Sequence, residues 1–416
     1  MVLVKPEAKG YTYYKTPKYA DVPYSEWKSR IARVQELMKG NGVDCLTVWM
    51  RENLRYFFGF QSIHWYTHSI QPAVGIIPAN GEPILIVPGL FQGVAEGTCW
   101  ARDIRWQEQA HQPRIERELP REIAGIIEEI GCGKKRVALE SGPLGCIYIP
   151  RPVNDIDMLR NSLPNAKFVD GDKVIWGARM IKSPLEIDRI RTSVQYIAAV
   201  ELAIVEGYRP GMTEVDLLKV INSTRSNLPC GLGDDPIGWD SFICGREKSP
   251  LVDVSALDGV TITKDSAIIW DGAAPYKGYT PDHARIWQVG PVTKEAKKAY
   301  ENVFRAQDAA ENILRPGIRA NDLFEAMYKE AKASGRAEWI TMGGHGTGLD
   351  MHEPPSIDES NDMTIEEGMT LSIEPWFPND EGIMFGIQDT FVVTRNGCEK
   401  LEGLRRDIIQ VSHPSL

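Results

Sequence analysis

Apolar and polar positions in the first part of the chain repeat at the spacings of helices and strands. The segment "SEWKSRIARVQELMKG" places four apolar residues on one helical face, at Trp27, Ile31, Val34 and Met38. Strand-like "DCLTVWM" follows, and two apolar runs flank the turn Asn80-Gly81 in "AVGIIPANGEPILIVP", which predicts a hairpin. The helix pattern "REIAGIIEEIG" and the strand pattern "KRVALES" continue the alternation. We therefore predict an α/β domain.

A helix-start signal at Ser183 marks a change of organisation. In "KSPLEIDRIRTSVQYIAAVELAIVEG", Ser183 is a candidate N-cap, Pro184 occupies the first helical position, and Glu186 completes a capping box. An apolar stripe follows at Ile187, Ile190, Val194 and Ile197. We therefore divide the chain into a leader, an N-terminal domain and a C-terminal domain, which cover residues 1–24, 25–178 and 179–416.

The second domain contains an internal repeat. The stretch "YRPGMTEVDLL" at residues 208–218 resembles "LRPGIRANDLF" at residues 314–324, and in both an Arg-Pro-Gly helix stop precedes an Asp-Leu pair. Each copy is followed by two strand-like segments that contain acids, "AIIWDGAAPYKGYTPDHARIWQV" and "TLSIEPWFPNDEGIMFGIQDTFVVT". We predict an α+β domain of two related halves, whose strand acids meet at a pseudo-two-fold axis.

Composition narrows the classes of partner. The 416 residues are 43% hydrophobic and 25% charged, which is ordinary for globular domains, and the formal net charge is −10. Because phosphate binding needs clustered Lys and Arg and the chain has no such cluster, we exclude a nucleic-acid partner. The sequence has no signal-peptide core and no apolar run of about 20 residues, so we predict a cytoplasmic protein without a membrane partner. The seven cysteines are scattered without a Cys-x-x-Cys pair, which favours reduced thiols over disulfides or a zinc–thiolate site.

The segment "GHGTGLDMHEPP", residues 344–355, holds two of the seven histidines of the chain, His345 and His352. A single histidine among glycines and prolines is most simply a polar turn residue. The glycines on either side of His345 remove side-chain bulk, so we expect a group to approach that backbone closely. The two histidines together are therefore candidates for chemistry.

Asp271 and Asp282 flank a loop rich in glycine and proline, so a strand pair can turn both carboxylates onto one face. Crowded carboxylates are costly unless a cation neutralises them. His345 and Glu374 from the second half complete an oxygen-rich set with one imidazole, which suits Mn²⁺, Co²⁺, Fe²⁺ or Zn²⁺. A pair of such ions about 3.5–4 Å apart would share a hydroxide that acts as a nucleophile at neutral pH.

Together, "WDGAAPYKGYTPDHARIW", "GHGTGLDMHEPP" and "LSIEPW" resemble the motifs of the pita-bread metallopeptidase family, which holds methionine aminopeptidase, aminopeptidase P, prolidase and creatinase. The similarity covers roughly residues 25 to 405 and includes the creatinase/prolidase-type N-terminal domain. It implies an α/β N-terminal domain followed by an α+β pita-bread catalytic domain with an internal pseudo-two-fold repeat. It also implies two divalent metal ions held by Asp271, Asp282, His345, Glu374 and Gln388.

The resemblance also implies catalytic roles for two residues. His352 would donate a hydrogen bond to the substrate carbonyl or to the tetrahedral intermediate. Glu374 would act both as a metal ligand and as a proton shuttle.

Three positions depart from the family pattern. Gln388 stands where the family has a Glu in a pattern like "RIEDT", so one negative charge is lost and the second ion should bind more weakly. The arginine of that pattern is Gly386 here, and the histidine that family peptidases carry shortly before the first metal Asp is missing from residues 252–254. Strand alternation should point Asp389 and His283 away from the site.

The aromatic segment "FGFQSIHWYTHSI", residues 58–70, has two interpretations. Aromatic residues after a strand usually pack in a core or a loop. In the family, however, this region lies near the active site of the partner subunit, so the resemblance implies a homodimer. The substrate-binding candidates of the segment are His64, Trp65, Tyr66 and His68. An aromatic wall suits a proline ring, a small cation or an apolar acyl group.

We predict a metal-dependent hydrolase like the Xaa-Pro aminopeptidases and dipeptidases. In such an enzyme a metal-bridged hydroxide attacks an amide carbonyl of a small molecule or a short peptide. Two alternatives stay open. One is cleavage of a C–N or C–S bond of a small metabolite, as in a creatinase-like hydrolase or a dimethylsulfoniopropionate lyase-like enzyme. The other is a degenerate module that only binds, although pure binding gives no physical reason for clustered carboxylates.

Overall fold

The computed structural model describes most of the chain. The described residues are 17–64, 73–107, 113–145, 147–229, 240–244, 256, 259–340, 342–401 and 405–411. The chain forms two compact units, Met1–Arg179 and Met180–Leu416. None of the helices among the described residues has the length and apolar character needed to cross a membrane.

The N-terminal unit alternates helices and strands. Its helices are α1 (Tyr24–Gly40), α2 (Arg51–Phe58), α3 (Gln92–Thr98), α4 (Pro113–Glu129), α5 (Val153–Ser162) and α6 (Asp172–Arg179). Its strands are β1 (Cys45–Val48), β2 (Val74–Pro78), β3 (Ile84–Pro88), β4 (Asp103–Gln107), β5 (Arg136–Leu139) and β6 (Lys167–Asp170). Among the described residues these strands form one mixed sheet in the order β4-β3-β2-β1-β5-β6. The predicted α/β organisation of this part of the chain is confirmed.

Local sequence signals explain several elements of this unit. Helix α1 buries the predicted apolar stripe of Trp27, Ile31, Val34 and Met38. Strands β2 and β3 pair antiparallel on either side of Asn80-Gly81, which confirms the predicted hairpin. Ile76 on the sheet, Ile123 on α4 and Leu159 on α5 belong to one hydrophobic core. The amphipathic helices therefore cover an apolar sheet.

Among its described residues, the C-terminal unit contains two pairs of helices, each followed by strands. The helices are α7 (Pro184–Gly207), α8 (Glu214–Ser226), α9 (Lys294–Ile313) and α10 (Ala320–Ala333). The strands are β7 (Asp240–Cys244), β8 (Ala267–Ala273), β9 (Asp282–Val289), β10 (Gly344–Gly346), β11 (Glu353–Ser356), β12 (Thr370–Ile373), β13 (Trp376–Pro378), β14 (Met384–Gly386), β15 (Asp389–Thr394), β16 (Gly397–Lys400) and β17 (Ile409–Val411). This order follows the internal repeat of the sequence.

The first helix of this unit begins at the predicted capping box. Ser183 Oγ accepts a hydrogen bond from the N–H of Glu186, and the Glu186 carboxylate accepts one from the N–H of Ser183. Thr213 and Asp216 form the same arrangement at the start of α8. Side chains therefore satisfy backbone N–H groups that have no partner inside these helices.

Two sheets meet in the middle of the C-terminal unit. Among the described residues, one sheet has the order β17-β9-β8-β7 and the other the order β11-β10-β12-β15-β16. An antiparallel bridge joins Ala284 on β9 to Gln388 just before β15. Val303 on α9, Leu323 on α10 and Ile373 on β12 belong to the core that covers the second sheet. The acid-bearing strands of the two halves therefore meet, as the repeat predicted.

Candidate metal centre

Asp271 and Asp282 lie on neighbouring strands and face the same side of their sheet. Strands β8 and β9 pair antiparallel, with Asp271 opposite Ala284 and Asp282 opposite Ala273. Because side chains alternate between faces, residues two apart share a face, and the two carboxylates are diagonal neighbours there. Both side chains are buried, at 8% and 2% exposure.

His345 and Glu374 share one face of the second sheet. His345 on β10 lies opposite Ser372 on β12, and Glu374 follows Ser372 by two residues. The N–H of Glu374 donates to the carbonyl oxygen of Gly343 at 2.9 Å, which extends the pairing beyond the end of β12. The imidazole and the carboxylate therefore project from the same face.

Gln388 lies between the two sheets, because it directly precedes β15 of the second sheet and bridges to β9 of the first. Ile373 lies opposite Asp389 at the end of the β12–β15 pairing, and Glu374 and Gln388 are the next residues on the two segments. The N–H of Gln388 donates to the carbonyl oxygen of Ala284 at 3.2 Å. Since Ala284 is two residues from Asp282, the bridge places Gln388 beside the carboxylates of the first sheet.

The imidazole of His345 lies at the centre of the resulting cluster. Its Nε2 is 3.2 Å from Glu374 Oε1, 3.5 Å from Asp282 Oδ2 and 3.5 Å from Gln388 Nε2. His352 Nε2 is 3.6 Å from the same Asp282 oxygen, and the centroids of the two imidazole rings are 3.9 Å apart. Side chains from both halves of the repeat therefore converge on one point.

A backbone contact fixes the tautomer of His345. Its Nδ1 lies 2.9 Å from the carbonyl oxygen of Gly346. Because a carbonyl can only accept, Nδ1 carries the proton, and the lone pair of the neutral ring is on Nε2. That nitrogen faces Asp282 and Glu374, as expected of a histidine whose one nitrogen binds metal while the protein holds the other.

The electrostatics of the cluster favour a positive charge at its centre. Burial, and then the charges of Asp282 and Glu374, raise the pKa of Asp271 well above its ordinary value. Burial also raises the pKa of Asp282, but His345 and His352 outweigh this effect and hold it below its ordinary value. Burial lowers the pKa of His345, yet Asp282 and Glu374 outweigh it and raise that pKa well above the usual range. The buried carboxylates therefore attract either a proton or a cation.

Two buried oxygen atoms strengthen this conclusion. Asp271 Oδ1 and Gln388 Oε1 have no hydrogen-bond partner among the described residues. Buried polar atoms are normally paired, because leaving one unpaired costs about 1–3 kcal/mol. Carboxylate and amide oxygens with one imidazole nitrogen suit Mn²⁺, Co²⁺, Fe²⁺ or Zn²⁺. The residues present therefore fit a divalent metal ion.

His352 differs from the other members of the cluster by its exposure. Its side chain is 55% exposed, whereas Asp282 and His345 are buried. By distance alone, Asp282, His345 and His352 form a group among the described residues that could hold an ion. An exposed imidazole beside a buried cluster is also well placed to meet a substrate. The role of His352 as a hydrogen-bond donor to the substrate stays a prediction.

Two contacts that the sequence did not predict orient the carboxylates. Ser372 Oγ donates to Asp282 Oδ1 at 3.3 Å, and Trp376 Nε1 donates to Glu374 Oε2 at 3.2 Å. Gly386 lies opposite Trp376, and a Cβ atom at residue 386 would come within 2.2 Å of the indole. The glycine that replaces the family's arginine therefore makes room for the tryptophan. The sequence carries no signal for these contacts, because each depends on which elements pair.

The expected close approach to the backbone around His345 comes from the protein itself. A Cβ atom on Gly344 would lie 2.0 Å from the carbonyl oxygen of Ser372, and one on Gly346 would lie 2.2 Å from that of Pro354. Gly344 also has a φ of +144°, which residues with a side chain rarely adopt. These glycines let β10 fit between β11 and β12, and so bring His345 into the cluster.

His283 and Asp389 point away from this face, as strand alternation predicted. His283 Nδ1 is 2.8 Å from Glu201 Oε1, and its Nε2 is 3.1 Å from Asp389 Oδ1. Asp389 also pairs with Arg285 and, at 2.7 Å, with Arg406. A buried ionic network therefore lies behind the cluster, and both residues belong to that network.

The substrate-binding candidates of the N-terminal unit are only partly described. His64 packs edge-on against Phe91, with ring centroids 5.0 Å apart. Outside the described residues lie Trp65, Tyr66 and His68, and also residues 252–254. A role of this segment in substrate binding stays a prediction.

Comparisons with known proteins find two family models along the chain. The model of metallopeptidase family M24 matches residues 188–395, which is half of the chain, and that of the creatinase/prolidase N-terminal domain matches residues 30–181. A putative dipeptidase YkvY of Bacillus subtilis is 25% identical over 388 residues, which cover 92% of this chain and 99% of the relative. An Xaa-Pro dipeptidase of Pyrococcus horikoshii is 26% identical over 385 residues, which cover 91% of this chain and 98% of that protein.

Solved structures share the fold. The dipeptidase PepE from Mycobacterium ulcerans matches with a TM-score of 0.79 at 21% identity, covering 94% of this chain and 99% of that chain. An X-Pro aminopeptidase from Thermotoga maritima matches with a TM-score of 0.74 at 23% identity, covering 92% and 99%. The N-terminal domain of the FACT complex subunit SPT16 from Cicer arietinum matches with a TM-score of 0.70 at 15% identity, covering 94% and 99%. The predicted fold class is confirmed, and because chains with such different names share it, the fold alone does not select a reaction.

Proposed function

Since the chain belongs to metallopeptidase family M24, we propose that it is a metal-dependent hydrolase of the Xaa-Pro dipeptidase type. The observation that carries the proposal is the buried cluster around His345, in which Asp271 Oδ1 and Gln388 Oε1 lack partners among the described residues. Relatives named as dipeptidases that align over more than nine tenths of the chain support the choice of substrate. The proposed substrate is a dipeptide or short peptide with proline in the second position.

In this proposal divalent metal ions would be held by Asp271, Asp282, His345, Glu374 and Gln388. Such an ion, when bound, supplies Lewis acidity and lowers the pKa of water, and both effects promote the hydrolysis of an amide. His345 contributes Nε2, because its Nδ1 proton is engaged by a backbone carbonyl. Asp271 and Gln388 contribute the buried oxygens that have no hydrogen-bond partner among the described residues.

Two residues of the cluster act on the substrate in this proposal: one stabilises the negative charge on the carbonyl oxygen, and the other transfers the proton of the attacking water. His352, on the exposed side of the cluster, donates a hydrogen bond to the scissile carbonyl oxygen as negative charge develops there. Glu374 takes a proton from the attacking water on one carboxylate oxygen and delivers it to the leaving nitrogen. Trp376 holds the other oxygen of that carboxylate at 3.2 Å and so limits its rotation.

We propose two ions per chain, of which the second binds more weakly. A carboxylate has two oxygens and can bridge two ions, whereas the Gln388 amide has one oxygen and no charge. The oxygen-rich set makes Mn²⁺ the first ion to test.

Three further parts of the proposal concern the whole protein. The first is a homodimer, in which the substrate of the partner subunit is contacted by His64, Trp65, Tyr66 and His68. The second is a cytoplasmic location. The third is a division of the chain into a leader, an N-terminal domain and a catalytic domain, at residues 1–24, 25–178 and 179–416.

A second candidate function keeps the metal and changes the bond that is cleaved. The neutral Gln388 and the lack of any histidine between His111 and His283 depart from the family's peptidases. Both departures argue against ordinary peptidase chemistry, and the alternative is C–N or C–S cleavage of a small metabolite. A binding-only protein is disfavoured, because buried carboxylates are costly and binding alone gives no reason to cluster them.

Release of the N-terminal residue from Xaa-Pro peptides tests the proposal. Metal-free protein supplied with Mn²⁺ should cleave Xaa-Pro dipeptides and leave dipeptides without proline in that position intact. Asp282→Asn should abolish both cleavage and tight ion binding, whereas Asp188→Asn, at an exposed carboxylate of α7, should change neither. If peptides are not cleaved but small amide or cationic metabolites are, the second candidate function is favoured. If the protein binds no ion, the binding-only protein is favoured.

A further inference from the structure

A glutamine of helix α9 contacts the backbone next to two of the proposed ligands. Gln307 is 0% exposed, and its Nε2 lies 2.9 Å from the carbonyl oxygen of Ile373 and 3.5 Å from that of Ile387. These two residues directly precede Glu374 and Gln388. Because both carbonyls can only accept, the amide nitrogen donates to both segments at once.

The contact lies where β12 and β15 separate. Their pairing ends at Ile373 on the β12 side. One residue further, the N–H of Glu374 donates to the carbonyl oxygen of Gly343 at 2.9 Å, and that of Gln388 donates to the carbonyl oxygen of Ala284 at 3.2 Å. Glu374 therefore continues the pairing of β12 with β10, whereas Gln388 pairs with β9, and the two segments no longer pair with each other at these residues.

Packing alone does not explain an amide at this position. The buried face of α9 around Gln307 is apolar and includes Val303, Ala306 and Ala310. Methionine would fill a similar volume there without the cost of removing an amide from water. Gln307 Oε1 has no hydrogen-bond partner among the described residues, so the hydrogen bonds of this amide are those to the two carbonyls.

We propose that Gln307 is a positioning residue of the metal centre, which fixes the spacing between the side chains of Glu374 and Gln388. The inference rests on the proposed metal-dependent function. Gln307 acts through the backbone and does not itself bind the ion or the substrate. Residues that orient metal ligands change metal affinity by about 10–100-fold when they are removed, and we expect an effect of that size here.

Gln307→Met tests the proposal, with Gln288→Met as the matched control. Gln288 is 3% exposed, and its Nε2 donates to the carbonyl oxygens of Ser266 at 3.2 Å and Val289 at 3.4 Å. These contacts lie at the opposite end of β9 from Asp282. Both variants lose an amide that bonds two carbonyls, so both should lower the melting temperature of the metal-free protein to a similar extent. In calorimetric titrations, only Gln307→Met should weaken Mn²⁺ binding, by about 10–100-fold.

A second variant keeps the test decisive if Gln307→Met does not fold. Gln307→Asn retains the amide but shortens its reach by one methylene, and it should also weaken Mn²⁺ binding. Wild-type Mn²⁺ affinity in a folded Gln307 variant, or an equal loss in Gln288→Met, would overturn the positioning role and leave the proposed function standing. Failure of the wild-type protein itself to bind Mn²⁺ would overturn the proposed function.

Discussion

Gln388→Glu restores a negative charge to the centre of the site at nearly constant volume. The amide is buried, its Oε1 has no partner among the described residues, and its Nε2 lies 3.5 Å from His345 Nε2. A glutamate would place two carboxylate oxygens at these positions, close to Asp282 and Glu374. We expect this variant to bind the second divalent ion more tightly than the wild-type protein.

The size of the effect follows from charge and distance. Two unit charges about 4 Å apart attract by about 4 kcal/mol at an effective dielectric constant of about 20, so a divalent ion and the new carboxylate gain about 8 kcal/mol. Repulsion from Asp282 and Glu374 and the cost of burying the new carboxylate offset most of this gain. If about one third of the gain of about 8 kcal/mol remains, the Kd for the second ion falls by about 100-fold, since 1.4 kcal/mol corresponds to a factor of ten.

Calorimetric titration of metal-free protein with Mn²⁺ measures this change. Gln388→Met, which removes the oxygen and adds no charge, is the matched control and should weaken the second ion. Metal-free Gln388→Glu should be less stable than the wild-type protein, because it buries a further carboxylate without a cation. An unchanged second Kd and stoichiometry in Gln388→Glu would refute the placement of residue 388 among the ligands.

Three further predictions concern buried polar groups. Lys182→Met removes the ammonium 2.8 Å from Glu353 Oε2 and so takes this cation away from a buried carboxylate. Chemical denaturation should show a fall of about 3–5 kcal/mol in the free energy of unfolding, and wild-type stability would contradict this. Trp376→Phe keeps an aromatic ring but removes the hydrogen-bond donor to Glu374. The kcat should therefore fall by about tenfold with little change in KM. A rise in KM alone would indicate that Trp376 binds substrate instead. Burial raises the pKa of Glu140 from 4.5 to about 8, so the folded protein holds this proton more tightly than the unfolded chain does. The resulting gain in the free energy of unfolding is complete below about pH 4.5 and is lost as the pH rises through about 8. Melting temperatures measured against pH should show that decline in the wild-type protein and a smaller decline in Glu140→Gln. An equal decline in both proteins would contradict the role of Glu140.

Features with a local cause could be predicted from the sequence. The capping box of Ser183 and Glu186 begins α7, and the β2–β3 hairpin turns where Asn80-Gly81 predicted it. Strand alternation also predicted that His283 and Asp389 would point away from the cluster. Each signal acts over a few residues, so it can be recognised without knowledge of the neighbouring strands.

Contacts between distant parts of the chain could not be predicted in this way. The bridge of Ala284 with Gln388, the fit of Trp376 over Gly386 and the contact of Gln307 with the β12 backbone all depend on sheet register and helix placement. Periodicity along one segment does not determine these quantities. The sequence alone indicated Asp271, Asp282, His345 and Glu374 as an oxygen-rich set, and the resemblance to family motifs added Gln388 and the roles of the residues.

Metal content per chain, measured by mass spectrometry on protein purified without chelator, tests the proposed centre most directly. A metal-dependent hydrolase with a weakened second site should hold about one ion per chain as purified, and about two after exposure to millimolar Mn²⁺. Asp282→Asn, as the control, should hold much less under both conditions. A folded wild-type protein that still carries almost no metal after Mn²⁺ exposure would contradict the metal-dependent function.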